Sequence, residues 1–120
     1  MWECPDLFEL EGHFILLTCP QGIKKEQHRF LNPHPSAYLI GSFDYSTLQF
    51  QHGDLIELDA GFEFYAPQTT LANGRRLLFG WMGVPDGLHH LPPLNDYLLT
   101  HRLIAIDINE MHDRVKPYPV

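Results

Sequence analysis

Two turn signals, 62 residues apart, constrain the fold of this chain more than any other feature of its sequence. Asn73-Gly74 is the dipeptide most typical of a two-residue β-hairpin loop, and Glu11-Gly12 also lies between two short apolar segments. These turns predict two hairpins, with strands at 2–10 and 13–19 and at 64–71 and 76–82. The first two thirds of the chain are therefore expected to be mainly antiparallel β.

The same offset of 62 residues relates other positions of the two hairpins, placing Pro5 on Pro67, Leu16 on Leu78 and Glu3 on Tyr65. Further strands are predicted at 37–43 and 48–52, with a continuation at 55–59. Four-stranded units that recur along a chain are typical of β-propeller blades. We predict one whole blade over residues 2–59 and the inner half of a second, that is, one and a half blades.

The segment after residue 87 has a different pattern, with apolar residues at three- and four-residue steps from 94 to 115. Asn95 or Asp96 is a candidate N-cap, and Pro117 would end the segment. These features predict a helical tail from about Asp96 to about Arg114, and a division into a partial propeller at 1–87 and a tail at 88–120. A strand at 103–108, with alternating isoleucines, is the competing interpretation.

Charge and composition exclude several classes of function. The net charge of −7 disfavours binding to nucleic acid and to anionic membrane surfaces. No apolar run approaches the roughly 20 residues of a transmembrane helix, and no secretory signal is recognisable. Two cysteines are too few for a disulfide framework, so we expect a cytoplasmic protein.

The two cysteines are expected to be reduced. If Glu11-Gly12 is a two-residue loop, Cys4 lies directly across from Cys19, at a Cβ spacing of about 4.5–5.5 Å that is slightly wide for a disulfide. The eight histidines, including His89 and His90, show no spacing with a convincing carboxylate or thiolate partner. We therefore predict neither a metal site nor a cofactor.

The motifs that carry chemistry lie within residues 2–86. Trp-Glu-Cys-Pro-Asp at 2–6, Asp-Ala-Gly-Phe-Glu-Phe-Tyr-Ala-Pro-Gln-Thr at 59–69 and Gly-Arg-Arg-Leu-Leu-Phe-Gly-Trp-Met-Gly at 74–83 occur in order and without large gaps. Together they resemble the catalytic domain of glycoside hydrolase family 32. Pro-Gln-Gly at 20–22 and Tyr-Leu-Ile-Gly at 38–41 resemble the bacterial branch that hydrolyses sucrose 6-phosphate.

This resemblance implies a retaining hydrolase of β-fructofuranosides, either sucrose or sucrose 6-phosphate, built as a five-bladed propeller followed by a β-sandwich. Retaining hydrolysis uses two carboxyl groups about 5–5.5 Å apart, one protonated and one ionised. By its place in the motif, Glu3 is the catalytic acid/base. Burial beside Trp2 and Cys4 is expected to disfavour the charged form of Glu3 and to raise its pKa.

Four further residues form the predicted substrate-binding set. Tyr65 falls opposite Glu3 in the repeat, so both are expected to begin innermost strands and to face the central channel. A sugar-binding role for Tyr65 follows, with Gln68 further along the strand, although a merely packed aromatic is an open alternative. Glu63 stands where the family has Asp, which displaces its carboxylate by about one methylene. Trp2 completes the set.

The family pattern also contains segments that this sequence lacks. Its nucleophile lies in an Asn-Asp-Pro-Asn-Gly segment and a second essential Asp in an Arg-Asp-Pro segment, and neither string occurs in the 120 residues. We therefore expect a fragment that is inactive as an isolated chain. The alternative is a non-catalytic module with at most weak sugar binding, which forms homo-oligomers through exposed blade edges. Within the enzyme class, Glu3 would have to meet a carboxylate from another copy.

Overall fold

The computed structural model describes residues 1–61 and 64–83 and the backbone of a strand at 103–107. Within these residues every regular element is a β-strand. The strands, in chain order, are β1 (Trp2–Leu10), β2 (His13–Pro20), β3 (Ala37–Asp44), β4 (Gln49–His52), β5 (Ile56–Glu57), β6 (Tyr65–Ala72), β7 (Arg75–Trp81) and β8 (Leu103–Asp107).

The first sheet is an antiparallel meander in the order β1-β2-β3-β4, and β5 pairs with the start of β3. Its first turn is the predicted one, because Glu11 and Gly12 have φ angles of 51° and 79°. A two-residue loop of this type needs positive φ at both positions, a conformation that glycine adopts without a steric cost. Asn73 and Gly74 repeat the geometry at 52° and 76° between β6 and β7. Both predicted hairpins are confirmed.

Each hairpin contains a β-bulge near the start of its first strand. The register of β1 against β2 shifts between Glu3 and Asp6, and Cys4 has a φ of 51°. The register of β6 against β7 shifts in the same way after Tyr65, where Ala66 has a φ of 52°. A bulge places two residues of one strand opposite one residue of its partner, so every pairing beyond it moves by one position.

The bulge makes the predicted pairing of Cys4 with Cys19 wrong. Cys19 lies opposite Glu3, because the extra residue in β1 displaces Cys4 from the ladder. The expectation that both thiols are free is confirmed, with Cys19 buried and Cys4 partly buried.

The second sheet has the order β6-β7-β8, all antiparallel. Its third strand corrects the predicted helix from Asp96 to Arg114, because residues 103–107 are extended and pair with β7. The alternating isoleucines at this point suit a pleated strand, and pairing satisfies backbone groups along an edge of β7 that would otherwise lack partners. The remainder of the predicted helix and the predicted boundary at residue 87 lie outside the described residues.

A hydrophobic cluster made by residues of both sheets joins them. Its buried members are Phe8, Leu17, Phe64 and Leu78, which are between 2% and 5% exposed. Each such side chain contributes about 1.5–3 kcal/mol relative to an exposed position. The cluster therefore packs the two sheets together, and β1 and β6 come into contact next to it.

Candidate functional site

The starts of β1 and β6 bring a carboxyl group and a phenol together. Glu3 and Tyr65 each lie immediately before the bulge of their strand, so the two bulges present the two side chains in the same way. The Tyr65 hydroxyl donates a hydrogen bond of 2.6 Å to Glu3 Oε2. Glu3 and Tyr65, equivalent positions 62 residues apart in the repeat, thus lie at the starts of β1 and β6 and contact each other.

Gln21, in the turn after β2, is the third member of this group. Its backbone N–H donates to the Met1 carbonyl at 2.7 Å, which continues the β1–β2 pairing beyond the end of β2. Its side-chain Nε2 donates to Glu3 Oε2 at 3.2 Å and to the Tyr65 hydroxyl at 2.9 Å. The sequence reasoning missed this role. The strand register could have indicated this role. Gln21 directly follows Pro20, which lies opposite Trp2, so Gln21 comes close to the start of β1 and to Glu3.

The electrostatics of Glu3 differ from the expectation. Hydrogen bonds from Tyr65 and then Gln21 lower the pKa of Glu3, and they outweigh the desolvation that raises it. The predicted rise of the Glu3 pKa is therefore wrong for this chain, because two hydrogen-bond donors face the partly buried carboxyl group. Burial, followed by the hydrogen bond to Glu3, raises the pKa of Tyr65, which stays protonated as a donor.

A second set of hydrogen bonds holds β1 and β6 in register. Asp6 Oδ2 accepts from the backbone N–H of Thr69 at 2.6 Å, and Gln68 Nε2 donates to the Cys4 carbonyl at 3.1 Å. Both bonds run between the bulged parts of the two strands, and we call this pair of contacts the bulge clamp. Gln68, predicted to bind substrate, thus has its amide nitrogen directed at the protein backbone. The role of Asp6 was missed; Pro5 and Pro67 were the available signal, because proline inside a strand often marks a bulge.

Behind Glu3 lies a buried thiol that is not suited to nucleophilic chemistry. Cys19 Sγ is 3.6 Å from Ser36 Oγ, and that hydroxyl donates to the Phe64 carbonyl at 3.2 Å. Burial raises the pKa of the Cys19 thiol, so the thiolate is disfavoured. The neighbouring Thr18 hydroxyl donates to the Glu3 carbonyl at 3.2 Å. These groups fix the backbone from which Glu3 projects.

The other predicted site residues do not belong to the hydrogen-bonded group of Glu3, Tyr65 and Gln21. Trp2 precedes Glu3 on β1 and is 49% exposed, and successive residues of a strand point to opposite faces. Glu63 lies outside the described residues. His34, which was not predicted, packs edge-on against Tyr65 with ring centroids 5.9 Å apart. The described site therefore consists of Glu3, Tyr65 and Gln21, with His34 at its rim.

The described ranges contain neither a candidate metal site nor a candidate membrane-spanning helix. No group of three or more His, Cys, Asp and Glu side chains among residues 1–61, 64–83 and 103–107 is arranged to hold a metal ion. In the same part of the chain, no helix is long and apolar enough to cross a membrane.

Comparisons with known proteins point to one family of carbohydrate-cleaving enzymes. The model of the glycosyl hydrolases family 32 N-terminal domain matches residues 1–109. The chain is 60% identical over 107 residues to a sucrose-6-phosphate hydrolase of Salmonella typhimurium, an alignment that covers 88% of this chain and 23% of that protein. A sucrose-6-phosphate hydrolase of Bacillus subtilis is 51% identical over 87 residues, which are 72% of this chain and 18% of that protein. The chain thus spans less than a quarter of the length of these relatives.

Solved structures agree with the sequence comparisons. A mutant of a family 32 β-fructofuranosidase from Bombyx mori, in complex with sucrose, superposes with a TM-score of 0.69 at 42% identity, covering 77% of this chain and 19% of that chain. The sucrose-6-phosphate hydrolase of Lactobacillus gasseri superposes with a TM-score of 0.64 at 33% identity, covering 72% of this chain and 18% of that chain. This chain therefore belongs to family 32 of the glycosyl hydrolases, within their N-terminal domain.

Proposed function

We propose that this chain carries the acid/base side of a site that hydrolyses β-fructofuranosides, with Glu3 as the proton donor and acceptor. The observation that carries the proposal is the 2.6 Å hydrogen bond from Tyr65 to Glu3 Oε2, supported by the Gln21 amide. Two donors on one carboxyl oxygen fix the orientation of the group. The other oxygen, Oε1, is then the one that exchanges a proton with the substrate.

The proposed chemistry follows the retaining mechanism. Glu3 gives its proton to the oxygen that joins the fructosyl unit to the leaving sugar, while a second carboxylate attacks the anomeric carbon. In the second step Glu3 removes a proton from water, and this water breaks the fructosyl–enzyme bond. An acid with a lowered pKa needs help to hold its proton. Substrate that covers Glu3 would supply this help, because desolvation disfavours the carboxylate.

The isolated 120-residue chain is proposed not to turn over. Neither the Asn-Asp-Pro-Asn-Gly nor the Arg-Asp-Pro segment of the family pattern occurs in it. General acid catalysis alone contributes about 10²–10⁴-fold, far below the enhancement of a complete glycosidase. The test is release of reducing sugar from sucrose and sucrose 6-phosphate by the purified chain and by its Glu3→Gln variant. Turnover by the chain that disappears in the variant would contradict the proposal of inactivity.

The role of Glu3 is testable in a complete enzyme. A chimera is made in which residues 1–83 replace the matching segment of the Salmonella typhimurium relative. We expect the chimera to hydrolyse sucrose and Glu3→Gln to lower kcat about 10²–10⁴-fold. On a fructoside with an acidic leaving group, Glu3→Gln should lower kcat much less, because such a leaving group departs with little protonation.

The matched control is Glu9→Gln, which neutralises an exposed carboxylate further along β1 and should leave kcat within twofold. If Glu3→Gln hydrolysed sucrose as fast as Glu9→Gln did, the acid/base assignment would be wrong.

The wider context of the site is part of the same proposal. We place the two described sheets in a five-bladed propeller. Sucrose or sucrose 6-phosphate is its proposed substrate, which the names of the relatives support. A cytoplasmic location is supported by two free cysteines in this part of the chain. Cell fractionation with an antibody against the protein tests that location.

Self-association is a second candidate function, favoured by exposed apolar side chains. Leu71 is 63% exposed and Leu7 41%, and both lie on the first strands of the two hairpins. Such side chains beside strand edges promote association between copies. We expect a homo-oligomer in sedimentation equilibrium of the 120-residue chain, and a lower association constant for Leu71→Ser. A monomer at tens of micromolar would contradict this.

A further inference from the structure

The loop between β2 and β3, residues 21–36, begins and ends at the candidate site. At its start, Gln21 donates to both Glu3 and Tyr65, at 3.2 and 2.9 Å. Near its end, His34 packs edge-on against the Tyr65 ring. Both ends of this loop therefore meet the carboxyl–phenol pair. We call residues 21–36 the rim loop.

The rim loop carries most of the positive charge of the described chain. Three of the five Lys and Arg residues in the described part lie in it, namely Lys24, Lys25 and Arg29. Arg29 is neutralised by Glu26, with contacts of 2.8 and 3.1 Å. Lys24 and Lys25 are exposed and have no ion pair within the described residues. In a chain with a net charge of −7, this leaves two uncompensated cations next to the site.

The rim loop is held in one shape rather than left free. Phe30 is only 3% exposed, and its backbone N–H donates to Glu57 Oε1 at 2.9 Å. Its φ of 55° is rare for a bulky residue and persists only where the surroundings enforce it. Such enforced conformations are found preferentially at functional sites. The anchored loop keeps Lys24 within about 11 Å of Gln21, Cα to Cα, because three residues reach no further.

The chemistry of the site indicates what these two cations face. In the proposed function Glu3 protonates the oxygen on the leaving sugar, so that sugar extends from the carboxyl group, and both ends of the rim loop meet the site at the Glu3–Tyr65 pair. We infer that the rim loop binds the phosphate of a phosphorylated leaving sugar, with Lys24 and Lys25 supplying the charge. This inference rests on the proposed function and deepens it, because it assigns the residues that would prefer sucrose 6-phosphate over sucrose.

The test is a titration of the ¹⁵N-labelled 120-residue chain at low ionic strength with glucose 6-phosphate, glucose and inorganic phosphate. Glucose 6-phosphate is expected to shift the amide signals of residues 21–36 and to bind at least fivefold more tightly than inorganic phosphate. Glucose should give no saturable shift. Lys24→Gln and Lys25→Gln should each weaken binding of glucose 6-phosphate about three- to fivefold, and added salt should weaken it further.

Two controls separate charge from fold. Arg75→Gln removes an exposed cation at the far end of the second hairpin and should leave the affinity unchanged, whereas Lys24→Arg and Lys25→Arg should retain it. Unchanged amide signals outside the rim loop verify the fold of each variant. The inference is overturned if glucose 6-phosphate leaves the signals of residues 21–36 unshifted, if it binds no better than inorganic phosphate, or if the lysine variants match Arg75→Gln.

The outcome for the proposed function is read separately, from sucrose hydrolysis by the chimera with and without Glu3→Gln. Sucrose carries no phosphate, so its hydrolysis is expected to be indifferent to Lys24 and Lys25. If glucose 6-phosphate does not bind at residues 21–36 while Glu3→Gln still lowers sucrose hydrolysis by the chimera, the rim-loop inference is refuted and the proposed function stands.

Discussion

The first hairpin (β1–β2) and the second hairpin (β6–β7) share one backbone design and differ in their side chains. Both have the same turn, the same bulge and the same register, with Glu3 opposite Cys19 in one and Tyr65 opposite Trp81 in the other. The positions nearest to the bulge differ in chemistry: carboxyl against phenol before it, and Asp6 against Gln68 after it. The repeat therefore sets the geometry, and the differences between its two hairpins create the site.

The two hairpins interact because their side chains differ at equivalent positions. Identical side chains at the equivalent positions would place two carboxylates, or two phenols, against each other. A donor facing an acceptor gives the 2.6 Å bond between Tyr65 and Glu3, whereas in the bulge clamp Asp6 and Gln68 each bond a backbone group of the opposite strand. Like charges at such a distance would repel.

The largest effect is expected where the two hairpins contribute unequally to the core. Leu78 is 2% exposed, whereas its equivalent Leu16 is only partly buried. Leu78→Ala should lower the free energy of unfolding by about 2–5 kcal/mol, because a buried leucine leaves a cavity. Leu16→Ala is the matched control and should cost less than half of that. Denaturant unfolding followed by circular dichroism measures both, and equal losses would refute the unequal burial.

The next effect concerns Gly80 of the second hairpin, whose equivalent in the first hairpin is Thr18. Gly80 lies under the Phe64 ring, so a Cβ there would meet ring carbons of a buried side chain. Gly80→Ala should lower the free energy of unfolding by about 1–3 kcal/mol through overpacking. Gly53→Ala is the control, because a Cβ at Gly53 meets nothing within 4 Å. A tolerated Gly80→Ala would show that Phe64 moves freely and that the two sheets are loosely joined.

A smaller effect is expected for the bulge clamp. Asp6→Ala leaves the Thr69 N–H without its acceptor and should cost about 1–2 kcal/mol, whereas Gln68→Ala should cost about half as much because a neutral donor is lost. Faster hydrogen exchange of the Thr69 amide should accompany Asp6→Ala. Glu9→Ala, on the exposed face of β1, is the control. A larger loss of unfolding free energy in Gln68→Ala than in Asp6→Ala would mean that Gln68 contributes more to the bulge clamp than Asp6 does.

Local signals explain how much of this architecture could be predicted from the sequence. Turn dipeptides fix two φ angles each, so Asn73-Gly74 and Glu11-Gly12 located both hairpins. The offset between them then placed Glu3 and Tyr65 at equivalent strand starts, whereas the hydrogen bond between the two was not predicted. The bulges were missed because the period-two pattern was followed through Pro5 and Pro67, the residues that mark them, and Cys4 was placed one position away from its true environment.

The remaining errors concern the pKa of Glu3 and the tail of the chain. The pKa of Glu3 depends on donors from two other segments, Tyr65 and Gln21, so its direction could not be derived from its neighbours in the chain. In the tail, two local patterns competed, and the longer three- and four-residue period was preferred to the alternation at 103–108. Residues 103–107 form a strand that pairs with β7, so the shorter pattern was the correct one there.

The smallest expected effect concerns the carboxyl–phenol pair itself. Tyr65→Phe removes the largest cause of the lowered Glu3 pKa, so the pKa of Glu3 should rise toward its ordinary value of 4.5. Gln21→Ala should raise it less, because that hydrogen bond is the second cause. Because the folded pKa lies below the unfolded one, this interaction contributes stability that is fully present above pH 4.5 and is lost as pH falls through the folded pKa.

Titration of the Glu3 side-chain carboxyl by ¹³C NMR measures the pKa directly. Tyr45→Phe, which alters a phenol that is 73% exposed, is the control and should leave the curve unchanged. The acid limb of the pH–stability profile should flatten in Tyr65→Phe, less in Gln21→Ala, and not in Tyr45→Phe. An unshifted Glu3 titration in Tyr65→Phe would mean that the two hairpins have the same backbone geometry but that Tyr65 does not influence the Glu3 carboxyl group. Tyr65 would then have to be removed from the candidate site.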